Sequence, residues 1–219
     1  EWQIVILALI SIAIMHAFVY LVGFRGSEDY QENSSGWIVF LRFTVVGYAI
    51  ALDAADNVYT TGSYSYINDY NDDYKSIFIN KHSKEGDQFW SITIGTGTVF
   101  NGYGLNIAVD NDGNIYSTGR FSGTADFQPG SGNHVLTGDH DNYILKLDSE
   151  GLFDWVKKIG NGLNDRVRDI ALDNDNDLYL TGYYNKTVDF DPGPDSLKLT
   201  AIDHDAYVLK LDTSGVFSW

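Results

Sequence analysis

The chain has 219 residues, with 14 Lys and Arg against 30 Asp and Glu, a formal net charge of -16 and a pI near 4.4. That balance argues against a nucleic-acid surface and against adsorption to anionic lipid, because both need clustered Lys and Arg. Cysteine is absent, which excludes disulfides, thiolate metal sites and a cysteine nucleophile, while the 44% hydrophobic and 15% aromatic content with 22 Gly fits a folded all-β chain rich in tight turns.

In chain order, the first feature is an uncharged stretch over residues 4–23, long enough to span a bilayer. Two readings stay open. Taken alone it is a membrane or signal segment, although Glu1-Trp2-Gln3 lacks a basic n-region. It is also rich in Ile, Val, Phe and Tyr, which favour strands. In that second reading Ile12-Ala13-Ile14 and Val19 to Gly23 are the first two strands of a degenerate repeat over residues 1–43, with Met15 where later repeats carry Asp. Residues 37–43 then supply its third or fourth strand. The chain starts at Glu1 and stops at Trp219, which reads as a piece of a longer protein.

The repeats that follow are clear. Ala49-Ile50-Ala51-Leu52-Asp53 leads to Asn57-Val58-Tyr59-Thr60-Thr61-Gly62. Asn106-Ile107-Ala108-Val109-Asp110 leads to Asn114-Ile115-Tyr116-Ser117-Thr118-Gly119, and Asp169-Ile170-Ala171-Leu172-Asp173 to Asp177-Leu178-Tyr179-Leu180-Thr181-Gly182. Both the Asp and the Gly positions recur after 57 and then 63 residues. Tyr143 to Asp148 recurs as Tyr207 to Asp212, and loosely as Phe78 to Lys81. Gly86, Gly151 and Gly215 each precede a Trp by four residues: Trp90, Trp155 and Trp219. Each unit thus offers four short strands separated by turn signals, and helical periodicity is absent. Four antiparallel strands in about 60 residues is the unit of a β-propeller blade. The expected fold class is all-β, a partial β-propeller of three blades (44–101, 102–164 and 165–219) plus the degenerate N-terminal one.

These motifs, together with Asp189-Phe190-Asp191-Pro192-Gly193 and its variant Asp126 to Gly130, resemble the SBBP family of bacterial β-propeller repeats, with NHL-like blades. The resemblance covers residues 44–219. It implies a secreted or cell-surface bacterial protein, and a ring of about seven blades completed by the rest of the polypeptide or by a second copy.

The repeated positions are read as architecture. Trp90 and Trp155 are expected to pack between sheets, with Trp219 less covered. Gly62, Gly119 and Gly182 mark a bulge or a close backbone approach. Asp53, Asp110 and Asp173 end the inner strands, where carboxylates readily bond nearby backbone N–H groups. The alternative is calcium, with Asp110, Asp112, Asp173, Asp175 and Asp177 as candidate ligands. An EF-hand would need Glu at the twelfth position, and Phe121 and Tyr184 stand there instead. Asp139-His140-Asp141 and Asp203-His204-Asp205 combine metal-binding side chains, but equivalent residues of adjacent blades lie too far apart to share an ion. No other cofactor is expected.

A catalytic centre is needed once per ring, so it should break the repeat. The polar residues that do are Arg120, Arg166, Arg168 and His134, and they form no triad or P-loop. The expected function is therefore a non-catalytic binding or scaffold platform for a protein or glycan. Ligand contacts would come from the loops Ser63 to Ser76, Ser122 to Asp139 and Asn185 to Asp203. A calcium-dependent adhesive module and, behind it, a polysaccharide-acting enzyme are the alternatives.

Overall fold

The computed structural model describes residues 17–20, 42–67, 73–95, 100–128, 130, 132–162 and 165–219. Among these the chain is all-β, without helix. Its strands are β1 (Ala17–Tyr20), β2 (Arg42–Leu52), β3 (Val58–Ile67), β4 (Asp73–His82), β5 (Gln88–Ile94), β6 (Asn101–Val109), β7 (Ile115–Asp126), β8 (Val135–Leu147), β9 (Phe153–Ile159), β10 (Arg166–Leu172), β11 (Leu178–Asp189) and β12 (Lys198–Leu211).

They form a nine-stranded and a three-stranded sheet. The larger sheet contains two antiparallel meanders, β2 to β5 and β6 to β9, whose seam is the single parallel pair Lys75–Asn101 between β4 and β6. The third meander is β10 to β12, with a lone bridge from Leu211 to Phe217 where a fourth strand would pair.

The turns explain why these residues fold this way. Asp53, Asp110 and Asp173 each open a five-residue connection closed by backbone bonds. Its fourth residue lies in the left-handed region: Asp56 at φ 63°, Gly113 at 83° and Asn176 at 64°. Asp, Gly and Asn are the residues that tolerate this conformation, so one backbone shape accepts three different sequences. The turns before the Trp residues use glycine alone, Gly86, Gly151 and Gly215, with φ of 95°, 83° and 73°.

Opposite Gly62, Gly119 and Gly182 the first strand of each meander carries a register shift, which leaves Tyr48, Leu105 and Arg168 outside the ladder. A Cβ at those glycines would fall on the carbonyl oxygens of Val46, Tyr103 and Arg166, and near the rings of Phe78, Tyr143 and Tyr207. The repeated glycine thus admits both the bulge and an aromatic ring from the third strand.

The meanders lie face to face. One core cluster joins Tyr59, Ile77 and Ile79 of the first to Ile107, Ile115, Tyr143 and Leu145 of the second. Another joins Tyr116, Ile144 and Ile159 of the second to Val167, Leu178 and Leu209 of the third. The second meander is therefore covered on both faces, which accounts for the run of seven buried residues from Asp141 to Leu147.

Three expectations are corrected. Ser122 to Asp139 and Asn185 to Asp203 are not long loops, because strands continue to Asp126 and Asp189 and resume at Val135 and Lys198. Cross-strand Thr pairs hold these extended hairpins, Thr124 with Thr137 and Thr187 with Thr200, both at 2.8 Å. The Ser63 to Ser76 segment is likewise strand up to Ile67 and again from Asp73, with residues 68–72 outside the described set. Arg42 and Phe43 belong to β2, the first strand of the next unit, and not to a closing strand of the preceding one. Ala17–Tyr20 pairs with β2, whereas the expected second strand of a separate repeat ran from Val19 to Gly23. The rest of the degenerate repeat, Met15 included, falls outside the described residues.

Candidate functional site

Two constellations compete as the functional centre. The first is built from the repeat. In each unit the turn Asp accepts two backbone N–H bonds from residues two and four positions on, at 2.8–3.0 Å. Its second oxygen receives the Tyr hydroxyl: Tyr59 to Asp53 at 3.1 Å, Tyr116 to Asp110 at 3.4 Å and Tyr179 to Asp173 at 3.1 Å. Asn57 and Asn114 add side-chain bonds at 2.8 Å. In the third unit Lys210 does so instead, 3.4 Å from Asp173 and 2.8 Å from Asp177.

Each Tyr ring meets the Trp of its own unit edge-on. The centroid separations are 6.3 Å for Tyr59–Trp90, 6.2 Å for Tyr116–Trp155 and 6.0 Å for Tyr179–Trp219. A lysine lies over the Tyr face in each unit: Lys81, Lys146 and Lys210, at 5.1, 5.6 and 5.0 Å. This cassette reaches into the next unit. Lys81 donates to the Ser149 carbonyl and Lys146 to the Thr213 carbonyl. Trp90 packs over Gly151 and Trp155 over Gly215, where a Cβ would come within 2.9 and 3.1 Å of the indole.

The electrostatics agree with a structural role. Burial pushes the Asp53 carboxyl up, but the bonds from Asn57, Ala55 and Tyr59 outweigh it and hold the group below the usual carboxylate range. Asp173 is held low in the same way by Asp177, Asp175, Tyr179 and Lys210. The Tyr59 and Tyr116 hydroxyls are pushed up, first by burial and then by the carboxylates beside them.

For the candidate calcium ligands this geometry is informative. Asp110 and Asp173 direct their oxygens at N–H and O–H donors, leaving few lone pairs for a cation that wants six to eight oxygens. Asp112 accepts from Asn176, Asp175 is exposed, and Asp177 pairs with Lys210. His140 and His204 each bond the preceding Asp, and Asp141 pairs with Lys158 at 3.1 Å. Among the described residues no three His, Cys, Asp or Glu side chains converge as a metal site.

The second constellation breaks the repeat. A cleft of about 410 Å³ opens where the three meanders meet, at the end of β6 away from Asp110. Tyr48, Tyr103, Arg120, His140 and Arg166 line it, with Asn101 and Ser122 at its wall. Arg120 and Arg166 are two of the four repeat-breaking polar residues picked out in the sequence. By register, the position of Arg120 is Ser63 and Tyr183 in the other units, and that of Arg166 is Val46 and Tyr103. Burial, and then the like charge of Arg166, lower the pKa of Arg120. Arg168 instead stacks on Tyr183 at 5.2 Å, and His134 packs against Phe153.

A family model described as "Putative integral membrane protein (DUF2391)" matches residues 1–61. This overturns the resemblance to bacterial SBBP or NHL-like repeats, since no such family matches, and with it the expected secreted or cell-surface location. The motifs behind that resemblance are turn, bulge and packing devices that any meander of this shape needs. The match includes residues 42–61, which form β2 and the start of β3. Among the described residues no helix is long and apolar enough to cross a membrane. The chain is also similar to an uncharacterized WD repeat-containing protein of Acanthamoeba polyphaga mimivirus, 28% identical over 169 residues. That alignment takes in 65% of this chain and spans 12% of the relative's length.

Proposed function

We propose that the chain is a non-catalytic repeat module, three consecutive blades of a β-propeller, that acts as a binding or scaffold platform for a protein or glycan. The observation that carries this reading is the repeated interface. The Trp-on-Gly and Lys-to-carbonyl contacts recur from first to second and from second to third unit, as stacked blades require. The relative's WD-repeat description points to the same class of architecture.

Further blades, from the same polypeptide or a second copy, would continue the stack. Ile79 and Ile144 are fully buried under the next unit, while their equivalent Val208 is 59% exposed. What supports a non-catalytic role is that the repeated turn carboxylates are engaged by backbone donors.

The test is affinity electrophoresis of the chain through gels containing neutral or acidic polysaccharide, with reducing ends assayed in parallel. Retardation without release of reducing ends is the expected result, and steady release would replace the platform with an enzyme.

The match to a membrane family favours a second reading, attachment through residues 4–23, although Ala17–Tyr20 within that span pairs as a strand. Flotation of the chain with vesicles, before and after deletion of residues 1–41, decides it. Loss of flotation on deletion supports attachment, and unchanged behaviour rejects it.

A further inference from the structure

The chain carries a charge of -16, yet two guanidinium groups face one cleft. Among the described residues neither Arg120 nor Arg166 is ion-paired with a carboxylate. The Nε of Arg120 donates to the His140 carbonyl at 3.4 Å, a long bond that leaves the rest of its fork open. The charge of the buried Asp165 favours the Arg120 cation, but its oxygens take the backbone N–H groups of Asn161 and Asn185, both at 2.8 Å, and ion-pair with neither arginine. Arg166 still disfavours the Arg120 cation, and an anion bound directly to both forks relieves that repulsion.

Two further observations narrow that anion. Asn101 lines the cleft and its Oδ1 is buried without a hydrogen-bond partner, so a turn of its amide toward the cleft offers an acceptor that calls for a donor. Tyr48 and Tyr103 meet edge-on at 6.3 Å and present aromatic surface beside the guanidinium groups. A simple inorganic anion would use the arginines and leave both features idle.

We infer that the Arg120–Arg166 cleft binds an acidic sugar residue of the uronic acid type. The carboxylate takes the guanidinium forks, a ring hydroxyl donates to Asn101 Oδ1 once that amide turns toward the cleft, and the C–H face of the ring lies against Tyr48 and Tyr103. Planar guanidinium matches planar carboxylate in two parallel bonds, which a lysine cannot reproduce. The cleft is of small-molecule size, large enough for a compact saccharide. Because Arg120 and Arg166 occur once while the fold repeats, the site is single in this stretch of chain. The inference rests on the platform reading and names the ligand class for it.

The experiment is a titration of the full chain followed by NMR shift changes, using sodium glucuronate, glucose, inorganic phosphate and a Glu-rich peptide as probes. Glucuronate should bind saturably and at least tenfold more tightly than glucose or phosphate, and should weaken as salt rises. Arg166→Ala should weaken it at least tenfold and Arg166→Lys nearly as much, while Lys84→Ala, on an exposed turn, should leave it unchanged. Arg166 makes no side-chain hydrogen bond among the described residues, so this variant should keep the parent's circular dichroism. Arg120→Ala provides a second, independent loss.

Equal binding of glucose and glucuronate, or glucuronate binding untouched by both arginine variants, would overturn the assignment. So would tighter binding of phosphate or of the Glu-rich peptide. Retention of acidic polysaccharide by the double arginine variant would overturn the acidic-sugar site while leaving the platform standing. Release of reducing ends would remove the platform itself.

Discussion

Truncating the three repeated tryptophans separates local structure from stacking. Trp155 meets Tyr116 edge-on, donates its indole N–H to the Thr213 carbonyl at 3.2 Å and packs over Gly215. Trp90 has the same Tyr partner geometry and packs over Gly151. Trp219 keeps its Tyr partner, but no described unit covers it and it is 56% exposed. A fully buried Trp→Ala change costs about 3–5 kcal/mol. Trp90 and Trp155 are only partly buried, which reduces this, so about 2–4 kcal/mol is expected for each. The Thr213 carbonyl still accepts from Lys146, so Trp155→Ala leaves it partnered. Trp219→Ala loses an aromatic pair, worth about 0.5–1.5 kcal/mol, and little more. Urea unfolding followed by far-UV circular dichroism gives the three midpoints. The expected order is a large loss for Trp90→Ala and Trp155→Ala and a small one for Trp219→Ala. Three equal losses would refute the reasoning, since the indole's worth would then lie within its own unit.

Two further expectations use the same measurement. Gly119→Ala should destabilise by roughly 2–4 kcal/mol, because its Cβ would meet the Tyr103 carbonyl and the Tyr143 ring; Gly47→Ala, with open space around it, should stay within about 1 kcal/mol. In acid, Asp53 and Asp173 have folded pKa values below the unfolded value of 3.8, and so does Asp189, held low first by the Ser196 hydroxyl. The stability these groups contribute is complete above that unfolded value and is lost as pH falls through their lower folded values. The urea midpoint should therefore drop on acidification below about pH 4, less steeply in Asp53→Asn than in the parent, and a midpoint that rises in acid would contradict the assigned bonds.

Much of the architecture was legible because turns are local. The repeated Asp, the left-handed fourth position of its turn and the glycine before each Trp are satisfied within a few residues, so they leave a period in the chain. The extended hairpins around Thr124 and Thr187 escaped notice because Asp, Gly and Pro nearby imitate a loop, while cross-strand threonine pairing is visible only once the strands are aligned. The resemblance to a bacterial repeat family misled for a related reason, since the residues shared with it are those that any such meander needs.

The sequence by itself determined the all-β class, the four-strand period, and the rarity of polar residues that break it. Only the tertiary structure decided which of those residues act together. Arg120 and Arg166 lie in different units, on β7 and β10, yet they face one cleft, whereas Arg168, two residues from Arg166, turns onto Tyr183. Alternation along a strand, the bulge beside Gly182 and the stacking of the three units set that outcome. The glycine that marks the bulge is visible in the order of the residues, but the stacking that brings β7 and β10 to one cleft is not.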